Sequence, residues 1–227
     1  MSLGIPLGAA IPRQAAIVQF ALINAYAIGA FLVLGPFVAE EHLGGAAAWG
    51  FILAAEAAGM ILAGIVALRY RPERPLLVAT LAVLTMAPLL ALLGMAAPLA
   101  LIIPAALVAG IGLELYGVFW DTTLQQHIPD EKLSRVSSYD VLGSFALIPV
   151  GVAVMGPISN AIGVADTLIG AALIVVLATI AVISVSDVRN LRRLEAPLRG
   201  GRAPLPPPAR TRWLRPEPAP APAATWR

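Results

Sequence analysis

An all-α membrane protein with six helices crossing the bilayer is the fold class this sequence predicts, and three observations predict it. Six apolar stretches run at roughly residues 15–38, 47–68, 76–96, 98–120, 141–162 and 166–186. Each is about 20 residues long, which is what a helix rising 1.5 Å per residue needs to cross a ~30 Å hydrocarbon layer. Of the 227 residues, 59% are hydrophobic and only 12% charged, with a mean hydropathy of +0.86, far from an ordinary soluble domain. The fifteen Lys and Arg avoid the interiors of the stretches, with Arg69 standing at an end.

The basic residues are also one-sided. Arg13 precedes segment one; Arg69, Arg71 and Arg74 lie in the connection RYRPERP; Lys132 and Arg135 lie in the fourth connection; Arg189, Arg192 and Arg193 follow segment six. The connections near EEHLGG, between Met95 and Pro98, and from Gly163 to Asp166 hold no Lys or Arg. With six crossings all the basic connections share one side, which the positive-inside rule assigns to the cytoplasm. The expectation is a multi-pass cell-membrane protein with both termini cytoplasmic. It divides into a flank at 1–14, a membrane domain at 15–193 and a disordered Pro/Ala/Arg-rich tail at 194–227. The first ten residues carry no positive charge, so segment one is expected to stay as an anchor rather than be cleaved as a signal.

Segment one starts after Pro12, ends near Gly35 and Pro36, and carries Gln19 and Asn24. Two roles fit these polar groups, helix-packing contacts and the lining of a substrate path. Segment two contains Ala55, Gly59 and Ala63 at four-residue spacing, a smooth stripe that lets a neighbouring helix come close. Glu56 lies a third to halfway through it, where a carboxylate is costly unless it faces a cavity, is paired or carries a proton. A functional role and a neutral, hydrogen-bonded structural role both remain open for it. Segments three and four form a close hairpin, with Pro88 and Pro104 expected to kink them. Segment four carries the small residues Ala106, Gly110 and Gly112, then Glu114 as a second acid in an apolar run. Tyr116, Phe119 and Trp120 read as an aromatic belt at the membrane interface.

The fourth connection is the most polar internal stretch, with apolar residues spaced to seat one or two short surface helices. Asp121, Lys132, Arg135 and Asp140 there supply mixed charges that either lock helix ends as a carrier rocks or form a static surface network. Segment five holds Pro149 and Pro157 with Gly143, Gly151 and Gly156, breakers that suit a helix bending within a bundle. Segment six is smooth and suits the outside of the bundle.

Much chemistry is excluded. Without cysteine there is neither a disulfide nor a thiolate ligand. His42 and His127 fall on connections on opposite sides, no metal-ligand spacing occurs, and no phosphate loop ending in GK[ST] is present. No cofactor, no enzymatic activity and no nucleic-acid partner are expected; the expected partners are the lipid bilayer and a small-molecule substrate.

Three stretches carry a family resemblance: FLVLGPFVAEEHLGGAAAWGFILAAEAAG, ALRYRPERPLL, and ELYGVFWDTTLQQHIPDEKLSRVSSYDVLGSFALIPVGVAVMGP, followed by the exit SVSDVRNLRR. On these the chain, over about residues 12–193, resembles the C-terminal half of a major facilitator superfamily transporter of the actinobacterial enterobactin- and drug-exporter type. The resemblance implies six transmembrane helices forming one half of a twelve-helix fold, with substrate held between the halves and alternating access by rocking. It implies proton-driven efflux of small amphipathic compounds. Asn24, Glu56, Glu114 and Phe145 become candidates for the cavity or for proton coupling, the two acids on the strength of their depth. Arg71, Arg74, Asp121, Lys132, Arg135 and Asp140 become candidates for a cytoplasmic gating network. RYRPERP resembles a degenerate copy of the superfamily's basic loop, without its usual acid and full glycine pattern. A half-length carrier would be completed by a second six-helix half or by a second copy; the alternative is a non-transporting scaffold or nonfunctional fragment.

The sidedness is directly testable because the chain has no cysteine of its own. Arg71→Cys should react with an impermeant maleimide only from the cytoplasmic side, and Glu41→Cys only from the opposite side. Labelling of both from one side would overturn the alternation of connections.

Overall fold

A computed structural model of the chain describes residues 23–127 and 147–184. These all belong to the first of two units, Met1–Leu194; the second, Glu195–Arg227, lies outside the described residues. Among the described residues there are six helices. Helix α1 (Gly29–Val38) is continued by wider π turns at Ile23–Ile28 and Ala39–Leu43. It is followed by α2 (Ala46–Ala67), α3 (Pro75–Gly94), α4 (Leu99–His127), α5 (Leu147–Ile162) and α6 (Val164–Ser184).

Local chemistry sets several of the boundaries. The turn after Leu43 is closed by Gly44 at φ 99°, a left-handed conformation open to glycine, and the Gly45 N–H bonds to the Ala39 carbonyl at 2.8 Å. Pro75 opens α3 at its first position, where a missing N–H costs nothing. Pro88 cannot donate to the Leu84 carbonyl, and directly before it Val83–Thr85 tightens into a 3₁₀ turn, with the Thr85 hydroxyl donating to Ala82 O at 2.7 Å. Pro104, expected to kink segment four, lies inside α4, which continues through it. In an apolar interior, hydroxyls need partners close by. Thr80, Thr123, Thr167 and Thr179 each donate to a carbonyl four residues back, at 2.6 to 2.8 Å.

Helix α4 is the centre of the packing. On one side it lies against α2 with almost no space between the backbones. A Cβ on Gly59 would collide with the Leu107 carbonyl, and one on Gly110 with the Glu56 carbonyl. Ala63 and Ala106 are buried beside them, so the small-residue stripes read from segments two and four do meet. On its other side, Gly112 meets Thr85 Oγ1 and the Ala82 carbonyl of α3. The same device recurs where Gly29 of α1 faces the Gly151 backbone of α5, and where Gly94 of α3 faces the Ala165 carbonyl of α6. Lipid tails are as apolar as leucine, so such close contacts hold helices together by dispersion rather than by water exclusion.

The expectation of six crossings is corrected. Among the described residues four helices are long and apolar enough to cross a membrane: Ala46–Ala67, Pro75–Gly94, Leu99–Thr123 and Val164–Ser184. The first predicted segment holds an α-helix of only 10 residues between two π turns, the second of which carries Glu40, Glu41 and His42. Of the fifth, whose residues 141–146 lie outside the described residues, the described part is an α-helix of 16 residues, about 24 Å at 1.5 Å per residue against a ~30 Å hydrocarbon layer. Average hydropathy registers apolar content but not a change of helical winding, and segment one was overcounted for that reason.

Three smaller readings also change. Segment four continues past Trp120 as helix to His127, taking the start of the expected polar connection into α4. Tyr116, Phe119 and Trp120 are buried among other helices rather than arrayed toward lipid, Tyr116 and Trp120 stacking at 6.2 Å with 8° between their planes. Helix α6 buries one face, from Thr167 through Val182, while Leu173, Leu177 and Ile180 point outward.

The α2–α4 contact makes opposite predictions for two glycines of one helix. Gly110→Ala forces the two backbones apart and should destabilise by about 2 kcal/mol, the usual cost of overpacking. Gly117, whose added Cβ meets nothing within 4 Å, should tolerate Ala and gain roughly 0.5 kcal/mol from helix propensity. Thermal unfolding in detergent, followed by tryptophan fluorescence, separates them; equal shifts would show that the contact is not tight.

Candidate functional site

Within α2 the residues Ala48, Ile52, Gly59 and Ala63 are buried, and all lie on the face turned to α4. Glu56 sits four residues after Ile52 and three before Gly59, so a 100° rotation per residue keeps it on that face, roughly 40° from Ile52. It is half-buried. Its own carbonyl forms the surface against which Gly110 packs.

Helix α4 brings the second acid to the same seam. A Cβ on Gly64 would lie 3.9 Å from Glu114 Oε1, so the Glu114 carboxyl lies over the glycine one turn beyond Gly59. Two levels meet in the same order along both helices: Glu56 and Gly59 with Leu107, Gly110 and Ile111, then Gly64 with Glu114. Helices α2 and α4 are therefore parallel. Glu56 and the level of Glu114 are eight residues apart on α2, about 12 Å along the axis.

That spacing limits what the acids can do. Direct proton transfer needs a hydrogen bond of roughly 2.5–3 Å, so the two carboxyls cannot hand a proton to each other in this arrangement. The closest backbone contacts, Gly59 on the Leu107 carbonyl and Gly110 on the Glu56 carbonyl, lie at the level of Glu56 itself. No Lys or Arg occurs between Arg13 and Arg69 or between Arg74 and Lys132, so neither acid has a cation from these segments at its depth. A lone ionised carboxylate at the centre of a spanning helix costs about 3 kcal/mol on insertion scales. The site is thus two separate acid stations on one tight seam, Glu56 at its narrowest point and Glu114 beyond it. Among the described residues no group of three or more His, Cys, Asp or Glu is placed to hold a metal ion.

The other candidates fall elsewhere. Asn24 has its backbone in the π turn Ile23–Ile28, which packs mainly with α5, α6 and α1 rather than on the seam; its side chain is outside the described residues, as are Phe145, Lys132, Arg135 and Asp140. Arg71 is exposed in the loop between α2 and α3, Arg74 is half-buried at the start of α3, and Asp121 is exposed near the end of α4. Because α2 and α4 run parallel, these three share one end of the bundle.

Two arrangements escaped the sequence reading. The Trp49 ring fills the place that a Cβ on Gly35 would occupy and packs on Phe31 at 4.9 Å. The π turn Ile23–Ile28 and the 3₁₀ turn Val83–Thr85 both border one small void, together with Ala109 and Leu113. Its volume of about 10 Å³ admits a single water at most. Pro88 hinted at the second irregularity; nothing local marked the pairing of Gly35 with Trp49.

The family model MFS_3, Transmembrane secretion effector, matches residues 9–212. No curated protein matches the chain, and no solved structure does.

Proposed function

Because the chain belongs to the transmembrane secretion effector family of the major facilitator superfamily, whose members are carriers and not enzymes, we propose that it exports small amphipathic compounds in exchange for protons by alternating access. Membrane transport is the general function that the family and the apolar helices carry; export, coupling to protons and the residues that serve it are the proposal. The observation supporting it is the pair of acids at two levels of the α2–α4 seam, Glu56 at the closest backbone contact and Glu114 about 12 Å beyond it.

In this reading each acid takes up or releases its proton from one side of the membrane. The axial gap of about 12 Å keeps the two stations from short-circuiting, and rocking of the bundle exposes them in turn. Neutralisation by a proton also relieves the cost of an unpaired carboxylate at depth, so the proton-loaded form is the one that moves most easily through a closed state. Asn24 and Phe145 would face the substrate. Arg71, Arg74 and Asp121 at the shared end, with Lys132, Arg135 and Asp140, would form and break contacts as that end opens. The end bearing Arg71 and Arg74 is assigned to the cytoplasm, along with both termini, on the positive-inside rule. Tail residues 194–227 are read as a disordered extension of the membrane domain at 15–193. A second polypeptide, or a second copy in the same orientation, supplies the opposite wall of the substrate path. Parallel halves are the arrangement this superfamily uses.

Reconstituted vesicles test the reading. A pH gradient should drive flux of an amphipathic dye by the protein, together with any partner encoded beside it. Glu56→Gln or Glu114→Gln should reduce gradient-driven flux to that of empty vesicles while leaving dye counterflow measurable. Wild-type flux in both variants would remove the two acids from coupling. Absence of any flux from the wild type, with and without a partner, would remove the carrier reading itself.

A further inference from the structure

The loop from α2 to α3 borders a cleft beyond the level of Glu114 on α4. Leu68, Tyr70, Arg71 and Pro75 on one side, with Phe119 and Thr122 of α4 on the other, enclose an open cleft of about 280 Å³. Its inner wall is aromatic, the Tyr70 ring meeting Phe119 edge-on with centroids 6.1 Å apart. Its rim is polar. Arg71 is exposed, and the Thr122 hydroxyl donates to the Val118 carbonyl at 2.7 Å. No side chain caps the first turn of α3 there, leaving its amides and positive helix end toward the loop.

The charge around the cleft is predominantly positive. Arg69, Arg71 and Arg74 lie within six residues, against Glu73 in the same loop. Asp121 is next to Thr122 in sequence, yet helical geometry turns it roughly 100° from the centre of the face formed by Val118, Phe119 and Thr122. The size is informative as well. At about 280 Å³ the cleft is just below the ~300–1,000 Å³ of sites that enclose drug-sized molecules, so it suits a small polar group better than a whole solute.

What lies beside the cleft identifies that group. Ile61, Ile65 and Leu68 are 67%, 55% and 77% exposed, and their spacing of four and three residues forms one apolar ladder on α2. The ladder ends at the cleft, because Leu68 belongs to both. A free anion gains nothing from an apolar approach of this kind. A lipid gains from both parts.

We propose that the cleft holds the headgroup of an anionic phospholipid, its phosphate on Arg71 and the Tyr70 hydroxyl, with one acyl chain lying along Ile61, Ile65 and Leu68. Arg71 is shared with the proposed gating end, but lipid binding depends only on insertion in the membrane, so it is tested separately from proton-coupled export.

Native mass spectrometry of the full chain, purified from bilayers containing equal phosphatidylglycerol and phosphatidylcholine, reads the site directly. The wild type should retain phosphatidylglycerol in preference to phosphatidylcholine. Arg71→Gln should lower that retention about fivefold, the effect of one basic residue beside an anionic surface. Arg71→Lys should restore most of it. Tyr70→Phe removes only a hydroxyl and should lower retention less; it gives the reading if Arg71→Gln fails to fold. Equal retention of the two lipids, or unchanged phosphatidylglycerol in every folded variant, would overturn the proposal. Inorganic phosphate that strips the lipid from the wild type would mark a soluble-anion site and overturn the lipid assignment.

Discussion

The backbone contact between α2 and α4 is the constraint on which the rest of the arrangement depends. Gly59 on one helix and Gly110 on the other leave no room for even a methyl group, and the helices are parallel because successive positions meet in step. In a bilayer there is little apolar surface to hide from water, so a bundle is held by how closely its helices approach. Glycine and alanine serve where leucine would serve in a soluble core. Gly29 with Gly151, and Gly94 with the Ala165 carbonyl, extend the principle to the other helix pairs.

The same contact governs the two acids. Glu56 is on the packed face of α2 because Ile52, Gly59 and Ala63 share that face, and Glu114 reaches the seam because Gly64 leaves space for its carboxyl. Their separation of about 12 Å follows from the parallel alignment and the helical rise. Had the helices been antiparallel, the same residues would have been paired at other levels. Packing and charge placement are one problem here, since each acid occupies a face otherwise reserved for small side chains.

The irregular turns have a related logic. Spanning helices must satisfy backbone groups internally, and departures from α geometry are tolerated where other protein covers them. The 3₁₀ turn at Val83–Thr85 and the π turn at Ile23–Ile28 border one void of about 10 Å³. Thr85 compensates locally through its bond to Ala82 O and is also the group against which Gly112 packs. At the opposite end of the hierarchy, the loop after α2 is shaped by Pro72 and Pro75, and it brings Tyr70 and Arg71 to the cleft.

By itself the sequence determined the all-α membrane class, the avoidance of the apolar segments by Lys and Arg, and the small-residue stripes Ala55–Gly59–Ala63 and Ala106–Gly110. These are properties of composition and period, which local physics reads directly. It also singled out Glu56 and Glu114, since an acid in an apolar run is conspicuous without any structure. Tertiary structure decided what hydropathy cannot measure. Four described helices, not six, are long and apolar enough to cross, because winding changes and helix length depend on neighbours as well as on apolar content. Only packing could show that both acids share one seam, that Trp49 fills the space over Gly35, and that Tyr116, Phe119 and Trp120 face protein rather than lipid. A residue's depth follows from its place along a helix, whereas its partner follows from how whole helices dock, and docking is set by contacts between residues far apart in the chain.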